Sequence, residues 1–217
     1  APCYRPPPLP PPSDPAPPST PPPPIHISVP AQPSSKTLVL LASLRRSLFS
    51  SDEERQLFLA RLLDGTLHVL RSQHGLTEHE NYHELCRLLA RIKSNYQLSE
   101  LVQADGYSEW ISLVATFTMD SFKHWQWAAN SVYYLLSLWS RLVASMPYLK
   151  GKMPSQLETY VPQVITAFIS SRVELVRAIA SGEAAAHIDD PLENEDLLTE
   201  QLDMLPNLCR FQLEQAC

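Results

Sequence analysis

Glycine is scarce in this 217-residue chain, with five residues at positions 65, 75, 106, 151 and 182. No two lie closer than ten residues, so neither the dinucleotide fingerprint nor the phosphate-binding P-loop can be written from them. Long apolar runs are missing too. The longest is Leu38–Leu41 with Ala42 beside it, far short of the roughly 20 residues that span a bilayer. The four cysteines, Cys3, Cys86, Cys209 and Cys217, are scattered. None of their spacings suits a zinc site or a disulfide framework, and a reducing compartment is the default. There is no initiator Met and no charged-then-apolar leader at the start, which reads as a start inside a longer protein.

Proline is abundant but confined. Sixteen of the 21 prolines fall in the first 33 residues. Proline supplies no N–H to helix or sheet, so residues 1–35 are expected to form a disordered, proline-rich arm. Residues 36–217 hold nearly all of the apolar residues and are expected to form the folded body. The net charge of −6 is unevenly placed as well. Residues 183–217 carry nine acids and one base, Arg210, for a net of −8, which leaves +2 on the rest. No basic stripe suggests nucleic-acid binding. Asp189, Asp190, Glu193, Glu195 and Asp196 form a candidate partner-facing acidic patch, against the plainer reading of a solvated loop and helix face.

Helix is the one period the body shows. Ser51 to Glu54 has the form of a capping box, followed by a stripe of Leu59, Leu62, Leu63 and Leu70, with Gly75 as the stop. Thr77 to Glu80 has the same form and precedes Leu85, Leu88, Leu89 and Ile92. A short helix is expected at Leu98–Val102. Ser108 opens a helix bearing Trp110, Leu113, Val114 and Phe117. Asn130 is placed to cap one bearing Val132, Leu135, Leu136 and Trp139. Pro162 suits a first helical turn before Val164, Ile165, Phe168, Ile169, Val173 and Val176. A last helix, about 194–216, is expected to bend at Pro206. No six-residue window alternates as a strand would. The body is therefore all-α, about seven helices pairing as antiparallel hairpins, in either a repeat solenoid or a closed bundle.

The sharpest chemical motif is His79-Glu80-Asn81-Tyr82-His83, an H-E-x-x-H match with the ligand spacing of zinc proteases. Its context argues against that use. Glu80 belongs to the expected capping box, and both histidines fall in a first turn. The positions three and six beyond His83 hold Cys86 and Leu89, where a metzincin has Gly and His, and Glu100 is a weak third ligand. Ser170 and Ser171 lack a flanking glycine elbow, and His68, His74 and His124 are isolated. Trp110, Trp125, Trp127, Tyr133, Tyr134 and Trp139 have the helical spacing of core residues, with exposed interhelical grooves as the second reading. In the arm, Arg5, Pro8 and Pro11 fit the R-x-x-P-x-x-P pattern of a polyproline II ligand. That pattern leaves open an SH3-type adaptor, a helical domain tethered to a ligand arm.

Several blocks in one register carry a family resemblance. They are Arg46–Phe49, Asn81–Val102, Asn130–Trp139, Arg141–Tyr148, Leu157–Tyr160, Ile169–Arg172, Asp190–Leu192 and Cys209–Glu214. Together they resemble the central segment of the exportin-seven and Ran-binding exportin branch of the importin-beta (karyopherin-beta) superfamily. The resemblance implies an array of HEAT/armadillo-like repeats, about three helix pairs here, and a non-catalytic scaffold that needs no cofactor. It implies a monomeric receptor that binds protein cargo with Ran-GTP, touches Phe-Gly nucleoporins, and shuttles between nucleus and cytoplasm. Ran's own GTP hydrolysis would release the cargo. The principal Ran-binding repeats of such receptors precede the matching segment, so this chain by itself is expected to bind Ran-GTP poorly.

Overall fold

Apolar stripes at helical spacing need neighbours to bury them, and in a computed structural model they find those neighbours in two layers. The structure describes residues 35–149, 154–182 and 195–216. Its helices are α1 (Ser35–Leu41), α2 (Asp52–Ser72), α3 (His79–Asn95), α4 (Leu98–Gln103), α5 (Tyr107–Lys123), α6 (Trp125–Ala144), α7 (Leu157–Ala180) and α8 (Glu195–Ala216). Single 3-10 turns occur at Arg46–Leu48 and Met146–Tyr148, and there is no strand among the described residues. α5 packs on α2 and α7 to make one layer. α1, α3, α6 and α8 line up in the second, each on the next. Among the described residues α2 makes no substantial contact with α7 or α8. Neighbour-to-neighbour stacking of that kind is the geometry of a helical repeat array, not of a closed bundle around one axis.

The expected stripes are where the core lies. Leu59, Leu62, Leu63 and Leu70 are buried, as are Leu85, Leu88, Leu89 and Ile92. Trp110, Val114 and Phe117, then Val132, Leu135, Leu136 and Trp139, continue the core into α5 and α6. Ser51 does cap α2, its Oγ accepting from the Glu54 N–H at 3.2 Å. Glu54 reaches back one residue further than expected, accepting from the Ser50 N–H at 2.7 Å.

Four helix boundaries differ from the sequence reading. Thr77 is not a cap: α3 starts at His79 behind Glu78, with no side-chain cap. The turn is instead tied by Asn81, whose Nδ2 donates to Gly75 O and to the Glu78 carboxylate. Asn130 lies inside α6, because α5 runs on to Lys123 and only His124 separates the two helices. Pro162 is the sixth residue of α7 rather than in its first turn. Ser155 Oγ accepts from the Leu157 N–H at 3.3 Å and fixes the earlier start. α2 ends through Gln73, in the left-handed region at φ 55°, two residues before Gly75. Pro206 lies within α8, which continues on both sides of it.

Three large aromatics bring a polar hydrogen into a dry interface between helices and meet a hydroxyl there. Trp110 Nε1 donates to Thr66 Oγ1 at 3.0 Å, joining α5 to α2. Trp139 Nε1 donates to Thr118 Oγ1 at 3.0 Å, joining α6 to α5. Tyr82 bonds Ser121 and so joins α3 to α5. The three hydroxyls pass their own protons to carbonyls one turn back, on Leu62, Val114 and Phe117. A small hydroxyl residue thus fills the space beside each ring and satisfies it.

Thr118→Val keeps the shape but leaves the Trp139 N–H unmet in a fully buried site, and it should destabilise by about 1–3 kcal/mol. Combined with Trp139→Phe the losses should be less than additive, giving a measurable coupling in a double-mutant cycle by denaturant unfolding. Additive losses would show that the bond contributes nothing specific.

Candidate functional site

The H-E-x-x-H segment is occupied by structural work. His79 and His83 do share one face of α3, rings stacked at 6.2 Å between centroids. Their partners, however, belong to α6. His83 Nδ1 is 3.1 Å from Ser131 Oγ, and His79 meets the Trp127 ring edge-on at 5.3 Å. Burial holds the His83 imidazole below its usual range, favouring the neutral ring. Glu80 turns to the surface and pairs with Lys36 Nζ at 2.5 Å, a contact that water and salt weaken. Glu100, the weak third ligand, grips Arg55 instead, Nε to Oε1 at 3.0 Å. Among the described residues no cluster of three or more His, Cys, Asp or Glu side chains could hold a metal. Cys86 is buried, which pushes its thiol up and away from reactivity.

Aromatics gather at the ends of α2 and α5 and the start of α3 and α6. Here a groove of about 530 Å³ is lined by Leu70, Leu113, Phe117, Tyr82, His124 and Trp127, among others. Trp127 is 38 % exposed, whereas Trp110 and Trp139 are fully buried. The Trp127 ring leans on Tyr82 with centroids 4.6 Å apart, and Tyr82 leans on Phe117 at 5.1 Å. Burial and its bond to Ser121 fix the Tyr82 ring, and burial pushes its hydroxyl well above the usual range. The floor is therefore a rigid aromatic ladder. Asp120 and His124 bring polar groups to the same groove. Such a groove suits an apolar or aromatic side chain inserted from a peptide, with a backbone N–H near the Asp120 carboxylate. Sequence spacing assigns these aromatics to the core, which is right for Trp110 and Trp139. Trp127 escapes because α6 begins at Trp125, two residues before it and just past the single-residue break at His124.

The other sequence candidates fall elsewhere. Arg5, Pro8 and Pro11 lie outside the described residues, as do Asp189, Asp190 and Glu193. Glu195 and Asp196 are the first two residues of α8. Ser171 is buried and its hydroxyl donates to Phe168 O at 2.7 Å, so it is no free nucleophile. No helix among the described residues is long and apolar enough to cross a membrane.

Two layers of stacked helix pairs with an aromatic groove define an α-helical repeat scaffold. Comparisons with known proteins narrow the class. A family model described as the exportin-7-like TPR domain matches residues 179–217. Exportin-7-A of Xenopus laevis is 49 % identical over 83 % of this chain and 16 % of its own length. Ran-binding protein 17 of Homo sapiens is 46 % identical over the same shares, and Ran-binding protein 16 of Drosophila melanogaster is 46 % identical over 85 % and 16 %. No solved structure gives a significant match. The chain belongs to the exportin-7 branch of the importin-beta superfamily. It spans 16 % of the length of these three relatives.

With His83 held by Ser131 and Glu80 by Lys36, equimolar zinc should leave the thermal midpoint of the chain unmoved. No zinc should co-purify, as read by atomic emission. Zinc retained by the wild type and lost in His83→Gln would restore the metal-site reading.

Proposed function

We infer that this chain is a helical segment of a nuclear export receptor: a non-catalytic scaffold that works by binding. In that reading the whole receptor carries protein cargo through the nuclear pore together with Ran-GTP, and shuttles between nucleus and cytoplasm as a monomer. The body, residues 36–217, acts as an array of about three helix pairs, with residues 1–35 as a proline-rich arm. The observation that carries the reading is the identity of 46–49 % over more than four-fifths of the chain to exportin-7 and Ran-binding proteins. The physics agrees with it. A stacked array offers a long surface, and small changes at each helix-pair junction sum into opening and closing on a partner. Dependence on Ran-GTP is then a reciprocal coupling between two sites on one spring.

The aromatic groove at Trp127 is the place in this segment for a phenylalanine side chain of a Phe-Gly nucleoporin repeat. Its rings are held rigid before binding, so little ordering opposes the insertion. Trp127→Ala should weaken binding of a Phe-Gly repeat peptide about tenfold, the size of one well-packed aromatic contact. Fluorescence or chemical-shift titration of the chain would measure it. Unchanged affinity would remove the groove from this role and leave the rest of the reading standing.

The acidic patch, Asp189, Asp190, Glu193, Glu195 and Asp196, is proposed to face Ran or cargo. Reversing these five charges in a full-length receptor should lower capture of Ran-GTP or cargo several-fold. The loss should shrink as salt rises, as for other exposed interface charges. Capture unaffected at low salt would sink the assignment.

A further inference from the structure

Another cavity, of about 620 Å³, lies where α3 gives way to α4, beside the 3-10 turn that follows α6. Lys93, Ser94, Gln97, Ser99, Ser145 and Tyr148 are among the residues that line it. Hydroxyls, an amide and an ammonium thus stand where the Trp127 groove has rings. No described residue lining the cavity is acidic.

Lys93 is in the last turn of α3 and is 8 % exposed. Its ammonium makes no hydrogen bond or ion pair with any described residue. The acceptors around it are already taken. Glu100, the acid whose charge reaches it, accepts from Arg55 Nε with Oε1 and from the Gln97 N–H with Oε2. Ile92 O takes the Tyr96 N–H, and Asn95 O takes Arg55 Nη2. From α6 a second cation approaches: Arg141 Nη1 donates to Ser94 Oγ at 3.0 Å, and Arg141 makes no ion pair among the described residues. Burial, then the charge of Arg141, hold the Lys93 ammonium below the ordinary lysine range, and Glu100 offsets them only in part. A buried ammonium beside a guanidinium, with no carboxylate free to answer them, costs free energy until an anion completes the site.

We propose that this cavity binds the phosphate of a phosphorylated serine or threonine on a partner protein, with Lys93 as the buried counter-charge and Arg141 as the second cation. Charge complementarity selects this occupant. A phosphate monoester carries close to two negative charges at neutral pH, which answer two cations. Its three terminal oxygens also leave acceptors for Ser99 and Tyr148, whose hydroxyls have no partner among the described residues. The volume exceeds what a free phosphate fills and leaves room for the side chain and backbone that carry it. An apolar peptide would leave Lys93 unanswered, and nucleic acid needs a basic stripe that the sequence lacks. The proposal rests on this cavity and not on any transport role.

The probe is a short neutral peptide with a central phosphoserine, beside twins with serine or aspartate at that site and beside inorganic phosphate. Each is titrated into the intact chain at pH 7.5 and fixed ionic strength, and binding is read by calorimetry or chemical shift. The phosphoserine peptide should bind at least about tenfold more tightly than the serine twin, as charge-assisted bonds to a buried cation require. The gap should narrow as salt rises. Lys93→Met should erase the preference and hold or raise the thermal midpoint, because it removes an unmet buried charge. Arg141→Gln should reduce the preference by a smaller factor. Equal binding of the phosphoserine and serine peptides, or a preference that survives Lys93→Met, would overturn the proposal. So would an aspartate twin that binds as tightly, which makes the site one for carboxylates, or inorganic phosphate that binds as tightly, which makes it one for free anions. A marked loss of stability in Lys93→Met would overturn it too, by showing that the ammonium is satisfied within the chain.

Discussion

Between stacked helices the limiting constraint is the polar hydrogen that each large aromatic carries into a dry interface. A tryptophan or tyrosine supplies much buried area, but its N–H or O–H must be met. For Trp110, Trp139 and Tyr82 it is met by a threonine or serine on the facing helix, Thr66, Thr118 and Ser121 in turn, and for Tyr107 by the Ser155 carbonyl. Ser131 Oγ also lies 3.1 Å from His83 Nδ1, a contact between α6 and α3. Because the hydroxyl is tied to the carbonyl one turn back, its direction is set by its own helix. Each bond therefore fixes both how far one helix slides along the next and how it is rotated. The layers follow from those registers.

Charge obeys the same rule with larger stakes. Arg55 is tolerated in the interior because Glu100, Asn95 and the Tyr96 ring together satisfy it. In doing so it ties α2 to the end of α3 and to α4. Arg172 obeys half of the rule, with a ring below it and, among the described residues, no acid lining its groove. Buried donors left unmet cost free energy, and Arg172 Nε and Nη2 are left without an acceptor. The aromatic groove at Trp127 differs in kind. Its rings are satisfied and rigid, and what it offers is shape.

Much of the fold was legible from spacing. The stripes on α2, α3, α5 and α6 mark the core because burial on a helix repeats with the helix's own period. Boundaries were less legible. Thr77, Asn130 and Pro162 each have the chemistry of a helix start, yet each lost to longer-range packing or to an alternative tie such as Asn81 on Gly75 or Ser155 on Leu157. The H-E-x-x-H match illustrates a further limit. The i, i+4 spacing puts His79 and His83 on one face, as read, but a face can meet a metal or another helix, and here α6 takes it.

Sequence alone determined the class of structure: all helix in the body, which side of most helices turns inward, and the family to which the blocks from Arg46 onward belong. Those properties are local or cumulative, set by residues a few positions apart or by many matches in one register. Tertiary structure decided which hydroxyl each aromatic finds, why Trp127 reaches the surface while Trp110 and Trp139 do not, and why Ile169, Val173 and Val176 remain uncovered beside an unpaired Arg172. These depend on which helix lies next to which. That is a non-local choice, made by packing and by the demand that every buried polar group find a partner.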